Sequence, residues 1–104
     1  MYAIVLITAS GRKEAKIIAR SLLTRKIAAC VNIIGNVDSY FRWKGKIDSA
    51  REVLLIVKTK KMRIPEVIRH VKSLHSYEVP EIISLPVTQG YAPYLSWITD
   101  ECGK

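Results

Sequence analysis

Residues 28–59 read AACVNIIGNVDSYFRWKGKIDSAREVLLIVKT and dominate the organisation of the chain. Two apolar-rich runs, 28–43 and 47–59, flank a turn at Lys44-Gly45-Lys46. Strands average about 5–6 residues and each run is roughly twice as long, so the pattern predicts a hairpin too long for a small sheet to cover. Its outer part carries three aromatic side chains that would make a poor monomer surface: Tyr40, Phe41 and Trp43. We therefore expect another copy of the chain to cover them.

The rest of the chain alternates strand and helix signals. An apolar run rich in Ile and Val predicts a buried first strand, and apolar side chains at helical spacing predict amphipathic helices before and after the hairpin. Pro86 indicates that the last strand lies at a sheet edge, and Gly35-Asn36 indicates a bulge in the first arm. The predicted strands are 2–8, 28–43, 47–59 and 81–88, and the predicted helices are 12–26, 62–75 and 93–101.

The order β-α-β-β-α-β, followed by a short C-terminal helix, predicts an α+β fold. Split β-α-β units with right-handed crossovers give a ferredoxin-like sandwich, here with a long hairpin between its second and third strands. A chain of 104 residues is the size of one domain, which we expect to span 1–104.

Composition is that of a globular protein and favours the cytoplasm. Apolar residues make up 49% and charged residues 25% of the chain. No apolar run approaches the ~20 residues that span a bilayer, and residues 1–7 show neither a basic leader nor a cleavage pattern. We therefore expect a cytoplasmic protein without a membrane partner. The net charge of +8 favours acidic partners, but scattered basic residues are more typical of a solvated surface than of a nucleic-acid site.

Several motifs resemble those of the CutA family. They run in register over nearly the whole chain and are AACVNII (28–34), YFRWKGKI (40–47), EVLLIVKT (52–59), HSYEVPEI (75–82) and YLSWI (94–98). The resemblance implies a divalent-cation tolerance protein, named for copper tolerance, that forms a compact homotrimer whose long hairpins pair between neighbours. It also implies an architecture related to the PII signalling trimers, so a PII-like sensing or partner-binding role is the alternative function.

Two departures from the family pattern bear on these expectations. Ser76 stands where the family usually has proline, which predicts a looser turn after the second helix. The resemblance assigns copper ligation to a cysteine on the first strand and two adjacent histidines after the second helix. This chain has Ile7 and Leu74 at two of those positions and keeps only His75. Copper or another divalent ion is therefore an expected ligand rather than a required cofactor.

Three residues are metal-ligand candidates, each with a plainer alternative. His75 can bind Cu²⁺ or Zn²⁺, or it can pack at the end of the second helix. Glu81 lies six residues further on, where a loop can bring its carboxylate near the ring. Cys30 is a soft-metal ligand, or a small hydrophobe in a strand expected to be central. Cys102 lies in a tail that we expect to be mobile and receives no role; a disulfide between the two cysteines is left open.

A ligand cleft is expected where the hairpin of one subunit meets the last strand of another. Lys58, Tyr77 and Glu81 would line it, and converging polar groups would suit a small anion or metabolite. The alternative is an interface ion pair between Lys58 and a carboxylate. His70, on the polar flank of the second helix, is expected to be plain surface.

Neither catalysis nor RNA recognition gains support from the sequence. It holds no GxGxxG, no P-loop and no paired-carboxylate motif. No histidine stands at a spacing from a serine or cysteine that would indicate a catalytic pair. An RRM has the same element order but stacks bases on aromatic residues of its central strands, whereas residues 51–57 read REVLLIV. We therefore predict a non-enzymatic, homotrimeric metal-tolerance protein and do not expect nucleic acid as a partner.

Overall fold

The computed structural model describes residues 1–103 and contains each predicted strand and helix. The elements are β1 (Tyr2–Ala9), α1 (Arg12–Thr24), β2 (Cys30–Trp43), β3 (Lys46–Lys60), a 3-10 turn (Lys61–Arg63), α2 (Ile64–Leu74), β4 (Ile82–Val87) and α3 (Ala92–Glu101). The strands form one antiparallel sheet in the order β2-β3-β1-β4. This is the predicted ferredoxin-like α+β sandwich, and β4 lies at the edge that its proline indicated.

One face of the sheet is covered by α1 and α2. Alternate residues of the central strands β1 and β3 point into this core, because side chains along a strand alternate between its two faces. Apolar residues at helical spacing on α1 and α2 meet them. The core includes Val5, Ile7, Leu55 and Val57 from the sheet, Ala15, Ile18 and Leu22 from α1, and Val67 and Val71 from α2.

The opposite face of the sheet, which we call the open face, is also apolar. Strand register places seven large aliphatic residues on it: Ile4, Leu6, Ile34, Leu54, Ile56, Ile83 and Leu85. Ile34, Ile83 and Leu85 are about half exposed. A sheet face of this composition normally packs against another layer, and the described part of the chain leaves it partly uncovered.

The hairpin projects beyond the body of the sheet. Strand β3 pairs with β1 only from Val53 to Lys60, so residues 46–52 have β2 as their only neighbour among the described strands. Lys44 and Gly45 both have positive φ, +51° and +78°, which is the conformation of the two-residue type I′ turn. The predicted bulge is confirmed, since the register shifts between Ile34 and Val37.

Two predictions about the cysteines are wrong. Strand β2 is an edge strand rather than a central one, and Cys30 at its start is partly exposed. Cys102 does not lie in a mobile tail, because it is fully buried at the end of α3. Its Sγ lies 3.6 Å from Thr59 Oγ1, and Arg63 donates to its carbonyl oxygen at 2.7 Å. Both thiols are free, so no disulfide joins them.

Candidate functional site

A cavity of about 880 Å³ lies between the projecting hairpin and residues 77–81, and we call it the hairpin cavity. Its walls combine aromatic side chains with carboxylates: Tyr40, Phe41, Trp43 and Tyr77 with Asp48, Glu52, Glu78 and Glu81. Within residues 1–103, Arg42 is the only cationic side chain in this lining. Four carboxylates against one guanidinium make the cavity acidic, although the chain as a whole carries +8. The cavity therefore favours cations.

His75 ends α2 with its side chain fully buried. Its Nε2 lies 2.7 Å from the carbonyl oxygen of Thr8, and the backbone N–H of Tyr77 donates to its Nδ1 at 3.0 Å. Because a carbonyl oxygen can only accept, Nε2 carries the proton and Nδ1 is the acceptor. Both ring nitrogens are committed to backbone groups, and neither has a lone pair free for a metal ion in this conformation.

Glu14 ties the start of α1 to the chain that follows α2. Its Oε1 accepts hydrogen bonds from the backbone and hydroxyl of Ser10 at 2.9 and 2.8 Å, and its Oε2 accepts the N–H of Ser76 at 2.6 Å. Burial raises the pKa of this carboxyl, but the hydrogen bonds from Ser10 and Ser76 outweigh burial and lower the pKa to about 2. The charged carboxylate thus holds Ser76 in place, directly before Tyr77 in the cavity wall.

Tyr77 and two carboxylates form a polar part of the hairpin cavity. Tyr77 Oη donates to Oε2 of the buried Glu52 at 2.9 Å. Burial, this hydrogen bond and the negative charges of Glu52 and Glu14 raise the pKa of Tyr77 to about 12. Partial burial, followed by the charge of Glu52, also raises the pKa of Glu81. A cation beside these groups would offset the carboxylate charge that raises both pKa values.

The family profile of the CutA1 divalent ion tolerance protein matches residues 3–101. The chain belongs to the CutA family. A CutA homolog of Xenopus laevis is 47% identical over 90% of this chain. The divalent-cation tolerance protein CutA of Thermus thermophilus is 41% identical over 99% of this chain and 100% of its own length.

The solved CutA structures share the whole fold. A structure described as the periplasmic divalent cation tolerance protein CutA of Archaeoglobus fulgidus has a TM-score of 0.96 at 42% identity, covering 99% of this chain and 100% of that one.

The chain spans 62% of the length of the Xenopus relative and 52% of the length of the mouse relative. Across residues 1–103, no helix is long and apolar enough to cross a membrane.

The copper set implied by the resemblance to CutA does not fit this chain. Ile7 is fully buried in the core, Leu74 offers no ligand atom, and both nitrogens of His75 are hydrogen-bonded. No group of three or more His, Cys, Asp or Glu in the part of the chain that the structure describes is arranged to hold a metal ion. Of the three predicted metal ligands, Glu81 lines the hairpin cavity and His75 supports its wall through Tyr77, whereas Cys30 does neither.

Cys30 and Lys58 lie apart from the hairpin cavity. They are direct cross-strand partners where β2 begins, on the open face beside Ile4. The ammonium group of Lys58 donates to the side-chain oxygen of Asn32. Within one subunit Lys58 therefore shares no cleft with Tyr77; a cleft shared between subunits stays a prediction.

Sequence reasoning missed Glu14 and Glu52. Glu14 has the position of an ordinary acidic residue in a first helical turn, and nothing in the sequence places it beside residue 76. Glu52 carried a weak signal, because a carboxylate directly before the run VLLIV needs a partner if that strand is buried. Tyr77 supplies that partner. Ser76 also has a use that its sequence position did not indicate, since a proline has no N–H to donate to Glu14.

Proposed function

We propose that this chain forms a homotrimer in the cytoplasm and takes part there in tolerance of, or response to, divalent metal ions, copper among them. Its role in this proposal is binding rather than catalysis. Membership of a family described by divalent ion tolerance supports the cation role. The number of subunits rests on the resemblance to CutA and PII trimers, and the cytoplasmic location rests on the globular composition of the chain.

The uncovered apolar surface of the subunit carries the proposal of self-association. The open face exposes about half of Ile83 and Leu85, and the projecting hairpin exposes Trp43 to a similar degree and Tyr40 still more. Apolar patches of this kind mark interaction sites. A second copy of the same chain is the simplest partner, because each copy brings both a face and a hairpin to be covered.

The acidic hairpin cavity supports the proposal of cation binding, though not through the predicted histidine. Glu52 and Glu81 offer carboxylate oxygens in one wall, and such oxygens are ligands for divalent cations. His75 would have to give up Thr8 or Tyr77 before it could bind a metal ion. We therefore assign cation contacts to Glu81 and Glu52 and a supporting role to His75. Two carboxylates are fewer ligands than most cations need, so water or a neighbouring subunit would complete the set.

Calorimetric titration of Cu²⁺ and Zn²⁺, with the assembly mass recorded by light scattering, tests the proposal. We expect a mass near three times 11.8 kDa and cation binding in the unsubstituted chain. Glu81→Gln should weaken that binding about tenfold or more, because a charged ligand becomes neutral. His75→Gln should weaken binding much less than Glu81→Gln does, since the glutamine amide can still donate to Thr8 and only the support of the cavity wall changes. His70→Gln controls for adventitious binding at the chain's other histidine.

Two results would contradict the assignment. Loss of Cu²⁺ binding in His75→Gln at unchanged mass would make His75 a ligand and require residues 75–77 to rearrange. Absence of binding in every variant would remove the metal role from this chain. Light scattering measures the mass independently of the metal titration. The proposal of self-association is therefore tested separately from the proposal of metal binding.

PII-like sensing of a small molecule is the second candidate, and the size of the hairpin cavity favours it. A volume of about 880 Å³ falls within the usual range of small-ligand pockets. The acidic lining points to a cationic ligand rather than the small anion that the sequence suggested, because Lys58 lies elsewhere in the subunit.

A further inference from the structure

The whole net charge of the chain resides in its two core-covering helices and the residues beside them. Residues 12–26 and 61–72 hold ten of the 17 Lys and Arg and two of the nine Asp and Glu, a balance of +8 that equals the net charge of the chain. The remaining residues hold seven charges of each sign. Because α1 and α2 cover the same face of the sheet, charges that look scattered in the sequence form one basic layer.

A groove of about 300 Å³ lies in this layer, between the end of α1 and one side of α2, and we call it the α1–α2 groove. Its lining residues are Arg25, Ile27, Glu66, Arg69, His70 and Ser73. Arg63 Nη1 lies 2.6 Å from Oε1 of Glu66 and offsets that carboxylate. Arg25 and Arg69 therefore leave the groove cationic, and none of the lining residues is shared with the hairpin cavity.

His70 forms part of this groove rather than plain surface. Its Nε2 lies 2.5 Å from Ser21 Oγ, which joins α2 to α1. Burial and then the charge of Arg25 lower the pKa of His70, so both favour the neutral ring, and Arg25 lies close enough to act on it. An anion bound beside Arg25 would raise the pKa of His70. The pKa of His70 therefore indicates whether an anion occupies the groove.

We propose that the α1–α2 groove binds the phosphate group of a small anionic ligand. Guanidinium groups suit phosphate because each can donate two parallel hydrogen bonds to its oxygens. A concave site of this volume, at the lower end of the small-ligand range, fits a compact phosphate-bearing molecule better than a flat membrane or nucleic-acid surface. The groove lies wholly within one subunit, so this site depends on neither the cation role nor the assembly proposed above.

Inorganic phosphate and pyrophosphate are the probes, titrated at matched ionic strength with chloride as the reference anion. NMR signals of the His70 ring would follow binding, and far-UV circular dichroism would confirm that each variant is folded. We expect saturable shifts and a higher His70 pKa in the bound state, because the anion stabilises the imidazolium. Arg25→Gln combined with Arg69→Gln should weaken binding about tenfold or more through the loss of charge-assisted hydrogen bonds.

Lys13→Gln combined with Lys16→Gln is the matched control, since it removes two exposed charges from the same layer outside the groove. It should change the affinity by about twofold at most, because exposed charges are screened by salt. Equal weakening by both double variants would show diffuse attraction and overturn the groove site, as would the absence of saturable shifts. Stronger binding to phosphatidylserine vesicles than to pyrophosphate, unaffected by the arginine changes, would assign the layer to a membrane surface and also overturn the proposal.

Discussion

Among the single residues, Glu14 gives the clearest dependence of stability on pH. Its pKa is about 2 in the folded chain against an ordinary 4.5, so the folded state holds this proton less tightly than the unfolded state. The resulting stabilisation is fully present above about pH 4.5 and is lost as the pH falls towards 2. We expect Glu14→Gln to lower the free energy of unfolding by on the order of 2 kcal/mol at pH 7 and by close to nothing near pH 2.

Urea titrations at one protein concentration, repeated from pH 7 to pH 2, would measure this difference. Glu101→Gln is the control, because that carboxylate is solvent-exposed at the end of α3. Its effect should be small and should not follow the same pH curve. A Glu14→Gln deficit that stayed constant down to pH 2 would show that the charge of Glu14 does not hold residues 10 and 76.

His75 shows why residue roles were harder to predict than the fold. Its place after an amphipathic helix was compatible with metal ligation and with packing, and only its two backbone partners decide between them. One of these, Thr8, lies 67 residues away in the sequence, a contact that no local pattern reveals. Glu81 and Tyr77 were predicted as cleft residues and do line the hairpin cavity, because the turn after α2 carries them there directly.

The end of helix α1 is the element on which the α1–α2 groove depends. Lys26 donates to the carbonyl oxygen of Leu23, and Ile27 donates to that of Leu22, both at 3.0 Å. These two hydrogen bonds form a Schellman motif, with the usual apolar pair of Ile27 and Leu22 buried beside it. The motif requires a positive φ at Lys26, which is +58°, and glycine is the residue that adopts this conformation at least cost.

Lys26→Gly should therefore stabilise the chain. Removing Cβ relieves the unfavourable left-handed conformation, and we expect a gain of about 0.5–1 kcal/mol in the free energy of unfolding. The urea midpoint of the variant would measure it. Lys26→Ala is the matched control, since it removes the same charge and keeps Cβ. If both variants gained equally, relief of charge repulsion in the basic layer would be the cause instead of backbone strain.

Elements were predicted well where a local signal exists. Alternation, the Lys44-Gly45 turn and Pro86 each point to a feature that the structure contains, and the bulge at Gly35-Asn36 belongs with them. The place of Cys30 was predicted wrongly, because its apolar neighbours were read as a central strand. The ferredoxin-like order itself makes β2 an edge strand. Its apolar residues face the core on one side and the open face on the other.

At the scale of the whole molecule, the chain presents three chemically different surfaces. A basic helical layer covers one face of the sheet, an apolar open face lies on the other, and an acidic, aromatic cavity adjoins the hairpin. The sequence predicted the hairpin aromatics but not the grouping of charges, since grouping arises only when α1 and α2 pack side by side. Of these surfaces, the open face is the most apolar, so its exposure to water is the least favourable in free energy.

The open face should consequently control assembly, and two isoleucines of similar exposure can test this. Ile83 on the open face is 55% exposed and Ile17 on the outer side of α1 is 51% exposed. Ile83→Asp would place a carboxylate in a buried subunit contact, so we expect the dissociation constant of the assembly to rise about 100-fold or more. Ile17→Asp should leave it unchanged, and Trp43→Glu on the hairpin should weaken assembly as Ile83→Asp does. Light scattering over a dilution series would measure all three. Equal masses for the unsubstituted chain, Ile83→Asp and Trp43→Glu at every concentration would mean that neither the open face nor the hairpin joins the subunits.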